Sequence, residues 1–314
     1  MKATAVVIER PEHLVLRDVA LDPPGPADAV VRIRYSGIST GTERLLWTGR
    51  MPAFPGMGYP LVPGYESVGE VVAAGEDSAV AVGAQVFVPG AACYGNIRGL
   101  FGGAASQVVL PASRLIAIDP SLGEQGALLA LAATALHAVN EPAVTDGPQL
   151  VVGHGVLGRL LARVLMADQS VTPVVWETNP ARRSGATGYS VVSPEDDDCR
   201  SYARIVDVSG DSGLLDTLIG RLARGGEVVL AGFYSEPLSF SFPPAFMREA
   251  RLRAAAEWAR PDLERVLGLI EEGTLSLDGL ITHRFSARDA DAAYRVAFGD
   301  PECLKMILDW GGMQ

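Results

Sequence analysis

Residues 153–158 read Gly153-His154-Gly155-Val156-Leu157-Gly158, the spacing G-x-G-x-x-G. An apolar run, "QLVV", leads directly into it, and a helical pattern, "VLGRLLARVLMA", follows. That context makes an otherwise weak pattern specific. Gly153 allows a tight turn, Gly155 lets the backbone approach a pyrophosphate, and Gly158 lets helix and strand pack closely. Val156 and Leu157 open the helix, whose first amides point at phosphates. The next strand, "PVVW", ends in Glu177, near the offset of about 20 residues at which an acid holds the ribose 2′-hydroxyl. A carboxylate there repels a 2′-phosphate, so NAD is expected over NADP. Arg182 and Arg183 soften that preference. His154 reads as a spacer in the loop rather than a catalytic group.

Three other places could serve the same chemistry. Gly232-Phe233-Tyr234 follows the strand "EVVLA", at the end where doubly wound sheets bind ligand, and is expected to border a nicotinamide. Thr134 is expected to touch the nicotinamide ribose. His137 lies one helical turn beyond it, and its ordinary pKa suits a proton shuttle; a lone histidine on an apolar helix is more often a satisfied core residue. His283 reads as an outward-facing strand end. In the first half of the chain, the stretch 51–66, "MPAFPGMGYPLVPGYE", is nearly all turn-formers and bulky apolar residues. Trp47, Met51, Phe54, Met57 and Tyr59 are too many exposed apolar groups for a loop with no partner. They are expected to wall a binding cleft or to form a subunit contact.

The elements that carry these residues fall into two patterns. Residues 1–120 are β-rich, with short apolar runs such as "AVVRIRY" and "AQVFVPG" broken by Gly, Pro and Asp. From 121 a helical stretch leads into strands alternating with helices, which gives a parallel doubly wound sheet. The fold class is therefore α/β, a small β-barrel or sandwich followed by a dinucleotide-binding Rossmann domain over 121–255. The tail, 256–314, holds two amphipathic helices and ends in "ECLKMILDW", a strand that must pair with something.

The bulk properties exclude several classes. The chain has 314 residues, enough for two cores. Its net charge of −11 argues against nucleic acid as a partner, since that needs a basic footprint. Three dispersed cysteines with no C-x-x-C support neither a disulfide framework nor a zinc ribbon. The longest apolar run, 126–139, is too short to span a bilayer and reads as a buried helix. A soluble, cytoplasmic setting with no transmembrane segment is expected.

The order of these parts resembles the medium-chain dehydrogenase/reductase superfamily over essentially the whole chain. The resemblance implies a GroES-like first domain, a tail that crosses back to complete it, an active site in the cleft between domains, and a homodimer. In zinc-dependent members a cysteine and a histidine stand where this chain has Ser39 and Tyr65, and a third ligand falls near Ala130. The structural-zinc lobe should lie in 89–105, which holds only Cys93. Glu66 alone survives as a possible ligand, so no catalytic metal is expected.

A narrower resemblance is carried by Ser36 to Glu43, Thr48 to Glu66, Val151 to Arg163, Gly225 to Tyr234, Ser276 to His283 and Cys303 to Trp310. These segments are similar to the dehydrogenases of bacteriochlorophyll synthesis, which oxidise the 3-(1-hydroxyethyl) side chain of a bacteriochlorophyllide to 3-acetyl with NAD⁺. The resemblance implies a magnesium tetrapyrrole as substrate, for whose flat face the 47–59 cluster is suited. Ser39, Thr42 and Tyr65 then occupy or neighbour the lost zinc positions and could relay a proton. Glu43 and Glu66 are the stronger bases nearby, with Glu66 the first acid/base candidate. The structural alternatives are that Glu66 pairs with an arginine, that Tyr65 packs on substrate, and that Ser39 and Thr42 are turn residues. Competing functions are a zinc-independent NADPH quinone or enone reductase, a non-catalytic NAD- and pigment-binding carrier and, more remotely, a zinc polyol dehydrogenase.

Overall fold

The computed structural model describes residues 1–53, 55–140 and 147–313. The chain divides into two compact units, residues 1–130 with 280–314, and residues 131–279.

The first unit is built on the long strand Asp28–Ile38, whose Val30, Val31, Ile33 and Ile38 are buried in a core of Val, Ile and Leu. It pairs antiparallel with Ser67–Ala74 on one side and with Lys305–Asp309 on the other. The tail strand therefore finds its partner at the far end of the sequence, in the register Met306 opposite Ile38 and Leu308 opposite Ser36. Ile281–Ser286 adds parallel to it and completes a seven-stranded sheet. A four-stranded sheet containing Lys2–Arg10 and His13–Ala20 lies in the same unit. The helix Thr42–Thr48 leaves the long strand through a short turn at Ser39.

The second unit is a six-stranded, wholly parallel sheet. Its strands run Ser190–Val192, Val174–Trp176, Gln149–Val152, Tyr202–Asp207, Leu222–Leu230, Arg251–Ala254, the doubly wound order with the first strand near the centre. Tyr202–Asp207 is buried at every position, as befits a parallel strand covered on both faces.

Two boundaries differ from expectation. The first unit runs to Ala130, because the turn at Gly126 packs on Val68 and Ile118 so closely that a Cβ there would meet Val68 at 2.7 Å. The tail returns to it only from Leu280, not from 256. Residues 256–279 stay with the second unit, burying Leu263, Val266, Leu269, Leu275 and Leu277. The Arg163 guanidinium ties their end down by donating to the carbonyls of Ser276 and Asp278. Among the described residues, one helical segment is apolar and long enough to cross a membrane, Pro120–Val139, and 67% of it is buried, as in a core helix.

Candidate functional site

In the first unit the hydroxyls of Ser39, Thr42 and Tyr65 come together. Gly64 has φ +101°, and a Cβ there would lie 2.8 Å from the Ala104 amide, so only glycine admits the close approach that precedes Tyr65. Tyr65 Oη then lies 2.7 Å from Ser39 Oγ and donates to Thr42 Oγ1 at 3.4 Å. The Tyr65 ring meets Phe101 edge-on, with centroids 5.3 Å apart. Burial, and next the nearby Glu66 charge, raise the phenol well above its ordinary pKa. Burial thus favours the neutral phenol, whose hydroxyl can both donate and accept.

The two carboxylates lie behind this cluster, fully buried. Glu43 Oε1 accepts from the Ser39 amide at 3.1 Å, and Oε2 accepts from Tyr294 Oη at 2.5 Å. Burial pushes its pKa up to about 7, and the Tyr294 bond opposes that rise. Glu66 Oε2 accepts from Lys305 Nζ at 2.5 Å, and Lys305 also donates to the Ile38 carbonyl at 3.2 Å. Glu66 fits because Gly37 has no side chain: a Cβ there would sit 2.3 Å from Glu66 Oε2. Burial raises the Glu66 pKa while Lys305 pulls it down. Glu66 is thus ion-paired, with a lysine rather than an arginine, and Glu43 braces the Ser39 turn. Both carboxylates are buried and engaged within the protein, whereas the Tyr65 and Thr42 side chains are only partly covered.

The bulky cluster is less bare than its composition implies. Trp47 packs on Phe298, with centroids 5.6 Å apart, and lies under the Arg295 guanidinium. The Tyr59 hydroxyl is bonded to the Leu46 carbonyl. Met51 and Met57 are partly buried against the first unit's core. These side chains owe their partial cover to that core, so unsatisfied exposure is not a reason to assign them to a ligand. Phe54 lies outside the described residues.

In the second unit the glycine loop has the expected form. Gly153 has φ +102° and donates to the Trp176 carbonyl at 2.9 Å. Gly155 caps the helix Val156–Gln169, and no atom lies within 4 Å of where its Cβ would be, so the backbone is open to a ligand. At Gly158 a Cβ would meet the Gly153 carbonyl oxygen at 1.8 Å, so any side chain would push the helix off the strand. Val156 is buried and Leu157 half-buried beside it. Glu177 Oε2 accepts from the His154 amide at 3.1 Å and Oε1 from the Asn179 amide at 2.7 Å. Arg183 hooks back to donate to the Glu177 carbonyl at 2.8 Å. The Gly232 amide donates to the Asp207 carbonyl at 3.0 Å, Phe233 is 41% exposed, and Tyr234 Oη donates to Asp207 Oδ2 at 2.8 Å. Thr134 is half-buried on the helix Leu129–Val139. His137, on the same helix, bonds Asp262 Oδ2 at 2.9 Å, and that carboxylate also accepts from the Ala259 amide. His137 is therefore half-buried and paired through Nδ1 with a carboxylate of its own unit.

Residues 25–120 match the alcohol dehydrogenase GroES-like domain. Over 99% of its length, and 99% of theirs, the chain is 58% identical to the 2-desacetyl-2-hydroxyethyl bacteriochlorophyllide A dehydrogenase of Rhodobacter capsulatus and 56% identical to that of Cereibacter sphaeroides. The chain belongs to this family of bacteriochlorophyllide dehydrogenases. Its fold is also that of a short chain alcohol dehydrogenase from Escherichia coli CFT073 complexed with NADH, at 21% identity and a TM-score of 0.84, covering 98% of this chain and 99% of the other.

Zinc, which the wider superfamily implies, does not fit the residues this family member presents. Ser39 and Tyr65 offer hydroxyls, Ala130 offers nothing, and Glu66 is held by Lys305. Among the described residues no three His, Cys, Asp or Glu side chains converge. No step is therefore routed through a metal. Sequence reasoning missed Tyr294 and Lys305, which stand 251 and 239 positions from the carboxylates they hold. The one signal was a lysine in the middle of the apolar run "CLKMILDW".

Proposed function

We propose that the protein oxidises the 3-(1-hydroxyethyl) group of a bacteriochlorophyllide, a magnesium tetrapyrrole, to 3-acetyl, with NAD⁺ as acceptor and without zinc. The observation that carries the substrate is the 58% identity over 99% of both chains to a bacteriochlorophyllide dehydrogenase. The hydroxyl cluster at the lost zinc positions supports the chemistry.

Oxidation removes a hydride from the carbinol carbon and a proton from its oxygen. NAD⁺ bound at the glycine loop supplies the hydride acceptor. Tyr65 Oη accepts the substrate proton as it passes its own to Ser39 Oγ or Thr42 Oγ1, and from there to water. The neutral Tyr65 suits this part, since each hydroxyl gains one proton as it loses another. The carbinol is conjugated to the macrocycle, which stabilises the electron-poor carbon as hydride departs and lessens the need for a full alkoxide. Glu177 favours NAD⁺ by repelling a 2′-phosphate.

The remaining parts of the reading concern assembly and setting. The edge strand Arg251–Ala254 carries the exposed Leu252, and the helix Phe242–Arg248 before it exposes Phe242, Phe246 and Met247, which suits a homodimer joined along the sheet edge. A cytoplasmic setting fits three cysteines that form no disulfide. The experiment is to supply the hydroxyethyl pigment with NAD⁺ or NADP⁺ and follow the red shift that a conjugated acetyl group produces. Product with NAD⁺ in preference to NADP⁺ supports the reading. Turnover of quinones or enones with NADPH, and none of the alcohol, contradicts it.

A further inference from the structure

His154 is fully buried, and both of its ring nitrogens are engaged. Nδ1 lies 2.6 Å from the Arg182 carbonyl oxygen. A carbonyl only accepts, so Nδ1 carries the proton. Nε2, 2.9 Å from Tyr189 Oη, is then the acceptor and Tyr189 the donor. Burial holds the ring's pKa below its ordinary value, which keeps this tautomer neutral. The two rings also meet edge-on, with centroids 5.6 Å apart.

A second strut runs parallel to the first. Arg159 Nε donates to the His154 carbonyl at 3.2 Å, and Nη2 donates to the carbonyls of Arg182 at 3.1 Å and Ser184 at 2.8 Å. Gly185, at φ +81°, leaves room for that guanidinium; a Cβ there would sit 2.6 Å from Nη1. The segment 182–189 is thereby fastened to the second residue of the glycine loop. The same residue's amide holds Glu177 Oε2. Residue 154 thus links three parts: its ring holds the arginine-bearing segment 182–189 to the phosphate loop, and its backbone amide holds the ribose-facing acid. A spacer would need none of these bonds, and an apolar residue of equal size would fill the volume without the cost of burying an imidazole.

We propose that His154 is a positioning residue of the dinucleotide site, whose ring clasps segment 182–189 and so fixes Arg182 and Arg183 beside the phosphate loop and Glu177, setting affinity for the adenosine half and the choice between NAD⁺ and NADP⁺. The inference rests on the dinucleotide reading above.

The test measures Kd for NAD⁺ and NADP⁺ by calorimetry on wild type, His154→Phe, His154→Asn, Tyr189→Phe and the His154→Asn/Tyr189→Phe double variant, with Tm for each. Asparagine keeps the donor to Arg182 and loses the acceptor for Tyr189. His154→Phe is expected to raise Kd for NAD⁺ about tenfold and to narrow the NAD⁺/NADP⁺ ratio. His154→Asn is expected to lose about threefold, and Tyr189→Phe in that background nothing further, because both remove one bond. Unchanged Kd values and ratio in both His154 variants overturn the proposal. So does a lowered Tm with an unaltered ratio, which makes the ring a fold strut only. Wild-type protein that binds neither dinucleotide overturns the cofactor reading, and this inference with it.

Discussion

Lys305 Nζ lies 2.5 Å from Glu66 Oε2, and both side chains are fully buried. The pair spans 239 positions of sequence and fastens the tail strand to the strand pair that carries Ser39 and Tyr65. A buried pair contributes little net stability, because desolvation offsets the attraction, but breaking it strands a charge. Lys305→Met is therefore expected to destabilise the protein by about 3–5 kcal/mol in chemical denaturation. Lys305→Met with Glu66→Gln should recover most of that loss. A double variant as unstable as the single one would show that the lysine acts through packing.

Glu43 carries a pH signature. Its folded-state pKa, about 7, lies above the unfolded value of 4.5. The folded state therefore binds the extra proton between those values, and stability falls as pH rises from about 4.5 to about 7, then levels. The full effect is roughly 3 kcal/mol by linkage. Glu43→Gln removes the titration and should flatten the stability profile between about pH 5 and 7. A profile with the wild-type slope would place that titration elsewhere.

Tyr65→Phe leaves the ring on Phe101 and removes the hydroxyl. Loss of a positioned proton-transfer group costs about 100-fold or more in rate, so kcat should fall by that order with KM changed less than threefold. Ser39→Ala should show the same split at smaller size. Wild-type turnover in Tyr65→Phe would make Tyr65 a packing residue.

The apolar rim of the edge strand gives a prediction about assembly. Phe246 and Met247 are 65% and 72% exposed. Phe246→Glu with Met247→Glu should convert a dimer to a monomer in sedimentation velocity, since two copies would bring like charges together. A dimer that persists in the variant would place the interface on another surface.

Legibility followed the range of the physics involved. The glycine loop could be read because its constraints are local: Gly158 is required by a carbonyl five residues earlier, and Gly155 leaves the start of the next helix open. The alternating strands and helices of the second unit likewise carry their own period. The helix Arg260–Glu271 shows an apolar face but not the core that face meets, so its unit could not be read. Glu66 misled for the same reason. A carboxylate beside a lost metal position looks like a base until Lys305, on the last strand, is paired with it. His154 reads as a spacer because a single loop position says nothing about the carbonyl at 182 or the hydroxyl at 189 that its ring meets.

Oxidation of the pigment alcohol by NAD⁺, with hydroxyls carrying the proton and no metal, is the central proposal. Its most direct test is the rate of NADH formation by chelator-treated, metal-assayed protein supplied with 3-(1-hydroxyethyl)bacteriochlorophyllide and NAD⁺. The account requires a steady rate equal to that of untreated protein and unchanged on adding Zn²⁺. A rate abolished by the chelator and restored by Zn²⁺ would contradict it.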